Sequence, residues 1–315
     1  MTVDYTVVVP TTGRESLNAV LGVVVHGAGP APREVIVVDD RPDPAGELVV
    51  PADVRVLRTY GRGPAAARNA GWQAASTEWV AFLDDDVLPP DDWPAALSKD
   101  LADVPSDVVA SQARVTVPLP SDREPTDWER NTAGLMTGNW ITADMAYRRA
   151  ALLQIGGFDE RFPRAYREDV ELALRVVDEG HRIVAGRRET THPVRPAGFF
   201  VSVRAQRGNA DDALMRSLRG RGWRKEVGGR PTRMHWHVLS TTAAAAAILL
   251  GLTGRRVAAA VAGSAWVALT AHFAGQRIAP GPRTPDEIAR MLVTSVAIPP
   301  VACWHRLRGE LRVRL

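Results

Sequence analysis

The chain has 315 residues, of which 45% are hydrophobic and 24% charged, and its net charge is +3. This composition is ordinary for a globular protein of one large or two smaller domains. The single cysteine, Cys303, excludes an intramolecular disulfide and a cysteine-cluster metal site, and it fits a reducing cytoplasm. Arginines are frequent after residue 187, which indicates an anionic ligand or surface, or else a solvated basic face. Asp4 interrupts the first apolar run, so no secretory signal peptide is expected.

The first hundred residues alternate short apolar runs with helix-like stretches. An N-cap at Asp91 or Asp92 is expected to begin a further helix. Because near-continuous apolar strands separated by helices are typical of a parallel sheet covered on both faces, we expect an α/β fold. The predicted strands are 5–10, 34–40, 54–59 and 78–86, and the predicted helices are 15–27 and 63–75.

Polar side chains cluster where the predicted strands end, and ligands of such sheets bind beyond these carboxyl ends. Three adjacent carboxylates repel one another unless a cation neutralises them, and oxygen-only ligands favour Mg²⁺ or Mn²⁺. The alternative interpretation of the aspartate trio is an acidic helix start without a metal. The clustered residues are Thr11, Thr12, Asp39, Asp40, Asp84, Asp85 and Asp86.

A second group of motifs lies between residues 131 and 180. Its last part predicts an amphipathic helix at 166–180, whose first turn carries Glu168 and Asp169. A helix N-terminus tolerates negative charge, so a capping pair is the simplest interpretation of these two carboxylates taken alone. The predicted apolar face of this helix is formed by Val170, Leu174 and Val177. Before this helix we predict a strand at 139–147, a helix start at Arg149, a turn at Gly156–Gly157 and a loop carrying Phe158 and Asp159.

The composition changes near Met234, which predicts a boundary between residues 1–230 and a helical, apolar region at 231–315. Residues 238–254 carry no charge, and residues 257–276 carry none apart from His272. A third apolar stretch, 291–304, is broken by Pro299-Pro300. The apolar segments could dip into a membrane as a hairpin, lie on its surface, or pack on the preceding domain or on a second subunit, which would give a homodimer.

Six segments together resemble the family 2 glycosyltransferases with the nucleotide-diphospho-sugar transferase (GT-A) fold. They occur in the family's order and at its spacing, over about residues 5–180. The resemblance implies a Rossmann-like GT-A fold with a mostly parallel mixed sheet covered by helices, followed by the helical C-terminal region. The segments are "VVVPTTGR", "VIVVDD", "GPAAARNAGW", "FLDDDV", "YRRAALLQIGGFDERF" and "REDVELALRV".

The resemblance assigns a nucleotide site to the strand ends. It implies that Asp39 reads the base, usually uracil, and that Arg68 and Asn69 lie on the helix facing the diphosphate. Asp84 and Asp86 match the first and last aspartate of the family's DxD motif. The full set of nucleotide residues implied is Pro10, Thr11, Arg14, Asp39, Asp40, Arg68, Asp84 and Asp85.

The resemblance also assigns the chemistry. Asp86 would bind a divalent metal, Mn²⁺ or Mg²⁺, and His192 would complete the metal site or contact the diphosphate, although a lone histidine is as often structural. Asp169 looks like the catalytic base of an inverting displacement, in which the acceptor hydroxyl attacks the anomeric carbon and the diphosphate leaves. The implied acceptor side comprises Gly157, Phe158, Asp159 and Glu168.

Two positions depart from the family's pattern. Thr12 and Gly13 stand where the first loop usually carries an aromatic residue or Asn, which puts base stacking and the choice of nucleotide in doubt. Asp144 stands where Asn is frequent, and we expect it to add a charge near the acceptor side.

The expected function is transfer of a sugar from a nucleotide-diphosphate sugar, with a UDP-sugar favoured, to a carbohydrate or lipid-linked hydroxyl acceptor. Residues 1–230 would be the catalytic domain, and the enzyme would work in the cytoplasm at the inner face of the membrane, in cell-envelope or glycoconjugate synthesis. The alternatives are a non-catalytic sugar-nucleotide-binding relative and a nucleotidyltransferase of related topology. No nucleic-acid partner is expected, because no aromatic–basic interleaving accompanies the arginines.

Overall fold

A computed structural model describes residues 3–44, 46–229 and 232–314. The chain divides into two compact units. The first unit is Met1–Pro118 with Ala133–Val194, and the second is Leu119–Thr132 with Arg195–Leu315. The predicted junction between residues 230 and 231 lies outside the described residues, so the assignment of catalysis to 1–230 stays a prediction.

The first unit is built on one seven-stranded sheet in the order β3-β2-β1-β4-β6-β5-β7. β6 runs antiparallel to both of its neighbours, and every other pair is parallel. The expected mostly parallel mixed sheet is therefore confirmed. The strands are β1 Tyr5–Thr11, β2 Glu34–Asp39, β3 Val54–Arg58, β4 Trp79–Leu83, β5 Val108–Thr116, β6 Asp144–Arg148 and β7 Arg182–Thr191.

Helices cover both faces of this sheet. Alternate residues of β1 separate the two cores: Val7 and Val9 pack with α1 and α3, whereas Val8 packs with α2, α5 and α6. This two-sided burial explains why the central strands are apolar along their whole length. The helices of this unit are α1 Leu17–His26, α2 Pro64–Ala74, α3 Trp93–Leu101, α5 Arg149–Ile155 and α6 Glu168–Asp178, whereas α4 Asp127–Ala133 lies in the second unit except for Ala133.

Two local predictions in the first unit are wrong. The strand predicted at 139–147 begins at Asp144, because Trp140 has a left-handed backbone and Gln112 Oε1 accepts the N–H groups of Trp140 and Ile141 in a loop. Val170 and Leu174 are buried as predicted, but Val177 is 44% exposed and Val176 is fully buried in its place.

The other predicted elements of the first unit occur, with small shifts at their ends. The turn at Gly156–Gly157 follows α5, and both glycines have positive φ. Asp92 occupies the N-cap position of α3, but its side chain makes no capping hydrogen bond, so the expected cap interaction is absent there.

The second unit is helical among its described residues. Its last three helices are each long and apolar enough to cross a membrane by length and composition. The prediction that Pro299 and Pro300 break the last apolar stretch is wrong, and the last helix continues through both residues. Hydrogen bonds lost at prolines are tolerated in long apolar helices. The helices are α7 Val201–Arg204, α8 Gly208–Arg219, α9 Trp223–Glu226, α10 Met234–Leu252, α11 Arg256–Ile278 and α12 Pro285–Arg314.

Residues 119–132, here called the strap, connect β5 to β6 in sequence but belong to the second unit. Asp127 accepts a hydrogen bond from the buried Arg277 of α11 at 2.8 Å, and the Asp127 N–H donates to Glu287 of α12 at 2.8 Å. Arg130 donates to the Arg277 carbonyl at 2.9 Å. A charged network therefore holds the strap to α11 and α12.

We expect Arg277→Met to destabilise the second unit by about 3 kcal/mol or more, because removing one partner of a buried ion pair leaves the other uncompensated. Thermal unfolding of the detergent-solubilised protein should show a lower Tm. Arg283→Met is the matched control, since the Arg283 side chain donates, among the described residues, only to the exposed carbonyl of Ala279. Equal Tm values for the two variants would contradict the role given to the network.

Candidate active site

Three neighbouring parallel strands end at one edge of the sheet. β2, β1 and β4 are adjacent, so Asp39, Thr11 and the residues after Leu83 meet at that edge. The Asp84 N–H donates to Ala143 O at 3.0 Å, and Leu88 pairs with Thr191 at the end of β7, which fixes the segment carrying the aspartate trio. The predicted convergence of Thr11, Asp39 and the trio is therefore what the topology produces.

Asp85, the middle carboxylate of the trio, is buried and fully engaged. It accepts a hydrogen bond from Thr11 Oγ1 at 2.6 Å and forms an ion pair with Arg14. Burial raises the pKa of the Asp85 carboxyl, and the hydrogen bond from Thr11 and the charge of Arg14 oppose that rise. Thr11 and Arg14, both predicted nucleotide residues, thus hold the loop that carries the trio.

Asp84, the first carboxylate, pairs with a buried arginine. Arg68 of α2 donates to Asp84 Oδ1 at 2.9 Å and, through its other terminal nitrogen, to Glu168 Oε1 at 2.8 Å. Burial alone would lower the pKa of Arg68, but the two carboxylates outweigh it and raise the pKa. One guanidinium therefore connects the end of β4 to the start of α6.

Asp86, the third carboxylate, has a histidine beside it. Its Oδ1 lies 3.7 Å from His192 Nε2, and its Oδ2 lies 3.6 Å from Arg14. His192 follows β7, where its N–H donates to Thr116 O at 2.7 Å. Within residues 3–44, 46–229 and 232–314, no group of three or more His, Cys, Asp or Glu side chains is arranged around one metal position. Asp86 and His192 are therefore a two-residue donor set at most.

The first turn of α6 carries two adjacent carboxylates, Glu168 and Asp169. Glu168 is 2% exposed, and its Oε2 has no hydrogen-bond partner among the described residues. Burial, and then the charge of Asp169, raises the pKa of Glu168 to about 8. Burial also raises the pKa of Asp169, although Asp169 Oδ1 accepts the Val170 N–H at 2.7 Å. Arg167 precedes the helix with φ 82°, a strained conformation of the kind that is common beside functional groups.

The predicted acceptor loop is anchored to α2. Asn69 exchanges two 2.9 Å hydrogen bonds with the backbone of Phe158, whose ring is buried 5.3 Å from that of Phe82. A Cβ on Gly157 would lie 2.6 Å from Asn69 Oδ1, so this position admits only glycine. Gly157 and Phe158 thus shape the loop from its packed side, and their contact with an acceptor stays a prediction.

Asp159, the third residue of the predicted acceptor set, is paired with Arg161 at 2.6 Å. Burial would raise the pKa of Asp159, but the hydrogen bonds from Arg161 outweigh it and hold the pKa below its usual range. Asp159 is therefore an ionised, partnered carboxylate.

The two aspartates after β2 have different partners. Asp39 is 1% exposed and bound by Arg41, whose Nε and NH2 groups reach its two oxygens at 2.9 and 2.7 Å. These bonds lower the pKa of Asp39. Asp40 accepts from Thr59 Oγ1 at 2.7 Å and from the Gly63 N–H at 2.9 Å, so it fixes the turn that begins α2. Pro10 is half-buried within β1, one residue before Thr11.

Asp144 does not add an acceptor-side charge as predicted. It is fully buried at the start of β6, where Arg188 donates to it at 2.8 Å and Trp93 donates at 2.6 Å. Thr190 Oγ1 also donates to it. Asp144 is thus neutralised inside the sheet unit by an arginine of β7 that sequence reasoning missed.

These features define a GT-A type fold: parallel strand ends that carry clustered polar groups, an aspartate trio after β4, and an acidic pair at the start of a later helix. Residues 6–162 match the sequence profile of glycosyl transferase family 2. The chain belongs to that family.

Known proteins similar to this chain include enzymes of sugar transfer. The pre-mycofactocin glycosyltransferases of Mycobacterium tuberculosis strains CDC 1551 / Oshkosh and ATCC 25618 / H37Rv are each 32% identical over 199 residues, which is 57% of this chain and 40% of theirs. The chain therefore spans less than half the length of these curated relatives. The mannosyltransferase PcManGT from Pyrobaculum calidifontis, solved with GDP-Man and Mn²⁺, has a TM-score of 0.54 at 18% identity, covering 100% of this chain and 89% of that one. At that identity the likeness shows the fold alone.

We expect the stability of the first unit to depend on the titration of Glu168. Its pKa in the folded protein, about 8, lies above the ordinary value of 4.5, so its contribution to stability is complete below about pH 4.5 and is lost as the pH rises through about 8. Glu168→Gln, which stays neutral, should show a smaller fall in Tm between pH 5 and pH 8.5 than the unsubstituted protein. Identical pH profiles would contradict the raised pKa.

Proposed function

We propose that this protein is an inverting, metal-dependent glycosyltransferase that moves a sugar from a nucleotide-diphosphate sugar to a hydroxyl acceptor. The observation that carries the proposal is the double hydrogen bond of Arg68, which joins Asp84 to Glu168. It fixes the DxD carboxylates and the acidic pair of α6 at a separation set by one guanidinium. A donor-binding site and a proton-accepting site are thereby held next to each other.

Asp86 and His192 fit the metal that such a reaction uses. Two ligands at right angles, each about 2.1 Å from an octahedral ion, are about 3 Å apart. The observed 3.7 Å between Asp86 Oδ1 and His192 Nε2 is close to that separation. These two side chains would hold the ion. The ion would spread the negative charge that develops on the departing diphosphate.

Arg14 is a second group that would stabilise the negative charge of the diphosphate. Its guanidinium contacts Asp85 and Asp86, and its side chain is 37% exposed, so a ligand can reach this residue. Arginine is well suited to phosphate because its planar fork donates two parallel hydrogen bonds. Arg14 therefore has two roles in this proposal: it stabilises the aspartate loop, and it offers positive charge to the diphosphate.

Asp169 is the proposed general base. Its Oδ1 is occupied by the Val170 N–H, so we assign acceptance of the acceptor proton to Oδ2. A carboxylate with a raised pKa is a more effective base, because its proton affinity approaches that of the reacting group. Glu168, held by Arg68, positions the helix turn that carries Asp169.

Recognition of the nucleobase is assigned to Asp39 together with Arg41. A carboxylate bound by an arginine presents both hydrogen-bond acceptors and donors to a ligand edge, which suits uracil with its alternating carbonyl and imide groups. Gly13 accommodates this pair, because a Cβ there would lie 2.9 Å from Arg41 Cδ. UDP-sugars remain the favoured donors in this proposal.

The apolar helices of the second unit support a membrane-bound acceptor. Leu249, Leu252 and Val257 are between 63% and 81% exposed, which is costly in water and favourable in lipid. We place the enzyme at the inner face of the membrane, acting on a carbohydrate or lipid-linked acceptor in envelope or glycoconjugate synthesis. The curated relatives suggest a second candidate acceptor, a pre-mycofactocin. The homodimer and the absence of a nucleic-acid partner stay predictions.

The metal role makes a direct prediction. Asp86→Ala should abolish transfer and weaken nucleotide affinity in Mn²⁺, because the ion loses its carboxylate ligand. Isothermal titration with UDP, with Mn²⁺ and with EDTA, measures the affinity, and a panel of nucleotide sugars measures turnover. Asp107→Ala is the control, since Asp107 precedes β5, is paired with Arg182 and belongs to none of the predicted site residues. Full activity in EDTA would refute metal dependence.

The general-base role predicts that chemistry and binding separate. Asp169→Asn should lower transfer roughly 10²–10⁴-fold, because the amide cannot accept a proton. Nucleotide affinity should change less than about threefold, since the base acts only as the acceptor attacks. Single-turnover transfer and titration with nucleotide measure the two effects on one sample.

The alternative for Asp169 is a purely structural role at the helix start. Under that interpretation Asp169→Asn stays active, and only Asp169→Ala loses activity, together with about 1 kcal/mol of stability. An active, stable Asp169→Asn protein would therefore move the search for the base to Glu168 or Asp159. Nucleotide binding without any transfer by the unsubstituted protein would instead favour the non-catalytic sugar-nucleotide-binding alternative.

A further inference from the structure

A cavity of about 150 Å³ lies among α10, α11 and α12 in the second unit. Its lining comes from the first turns of α10, the second half of α11 and one residue of α12. Several of these side chains are polar, although the helices that carry them are otherwise apolar. The lining residues that matter here are Arg233, Trp236, Ser240, Thr270, His272 and Gln276.

The charge around this cavity is one-sided. Residues 227–285 contain six arginines and no aspartate or glutamate. Arg233 occupies the N-cap position of α10, and in the described part of the chain no carboxylate pairs with its guanidinium. Arg277, near the end of α11, differs because Asp127, Thr294 and Ser295 occupy its guanidinium. An anion at Arg233 would therefore have to come from outside the described residues.

Polar atoms inside the cavity also lack sufficient partners. Thr270 Oγ1 is buried and has no hydrogen-bond partner among the described residues. Gln276 Nε2 lies 2.8 Å from His272 Nε2, which leaves the amide oxygen of Gln276 and its second N–H hydrogen for other groups. A buried hydroxyl without a partner is unfavourable, and a bound group with acceptor oxygens would remove that cost.

The size and position of the cavity restrict the class of ligand that it can bind. A cavity of about 150 Å³ accepts a group as large as a benzene ring, whereas whole small-molecule sites are about 300 Å³ or larger. It therefore fits a phosphate group and excludes a nucleotide sugar. Trp236 is 50% exposed at the start of α10, as aromatic side chains are at a membrane–water interface. The N-terminus of α10 adds a favourable dipole for an anion.

We propose that this cavity binds the phosphate group of an anionic phospholipid, with Arg233 as the charged contact and Thr270 and Gln276 as hydrogen-bond donors. The proposal rests on the membrane contact proposed above but is independent of the catalytic chemistry. The bound headgroup would fix the depth and rotation of the α10–α11 hairpin in the membrane. The protein would therefore discriminate between anionic and zwitterionic bilayers by a site rather than by net charge alone.

The test uses the full chain in a neutral detergent. Dioctanoyl phosphatidylglycerol, dioctanoyl phosphatidylcholine and inorganic phosphate are titrated separately, and binding and Tm are measured. We expect saturable binding of phosphatidylglycerol, and Arg233→Gln should weaken it about tenfold or more. The matched control is Arg255→Gln, because Arg255 is the exposed N-cap residue of α11 and lies outside the cavity lining.

Thr270→Val provides a second variant that keeps the shape of the side chain. It should raise the Tm of the lipid-free protein, because an unpartnered hydroxyl is removed, and it should reduce the Tm increase that the lipid causes. Equal losses in Arg233→Gln and Arg255→Gln, or equal affinity for phosphatidylcholine, would overturn the site. Equal affinity for inorganic phosphate would assign it to free phosphate instead of a lipid. The affinity for UDP, measured on the same samples, should be unchanged by these substitutions. If no variant bound UDP, that result would count against the catalytic proposal alone.

Discussion

The candidate site depends on burying one arginine between two groups of carboxylates. Arg68 is 2% exposed and binds Asp84 on one side and Glu168 on the other. A buried guanidinium without partners would be prohibitively costly, and so would the two carboxylates without it. Each half of the site is therefore stable only in the presence of the other. This mutual dependence places a strand end and a helix start, separated by 84 residues of sequence, in one fixed geometry.

The same principle explains how three adjacent aspartates are tolerated. Asp84 pairs with Arg68, and Asp85 pairs with Arg14. Asp86 lies beside Arg14 and His192. The repulsion within the trio is thus divided among separate partners. A divalent ion at Asp86 would complete this neutralisation, which is why donor binding and metal binding are expected to be coupled.

Local sequence patterns predicted the central sheet, because β1, β2, β3 and β4 are short apolar runs that end in polar groups. They did not predict β7, an edge strand that is exposed along much of its length and has no continuous apolar run. The meeting of Asp39 and the trio followed from topology. The ion pair of Asp144 with Arg188 could not be predicted, since it joins residues 44 positions apart on different strands. By contrast, the pairing of Asp39 with Arg41 was detectable in principle, because two residues of spacing place both at the end of one strand.

The strap has a consequence for the order in which the protein is made. Asp127 and its partner Arg277 are 150 residues apart, and ribosomes add about 5–20 residues per second. On the order of 10–30 s therefore pass between the emergence of the strap and the emergence of its partner. By then the last strand of the sheet, β7, has already been synthesised. Nascent chains of the sheet unit thus carry a charged loop whose contacts with Arg277 and Glu287 arrive only with α11 and α12.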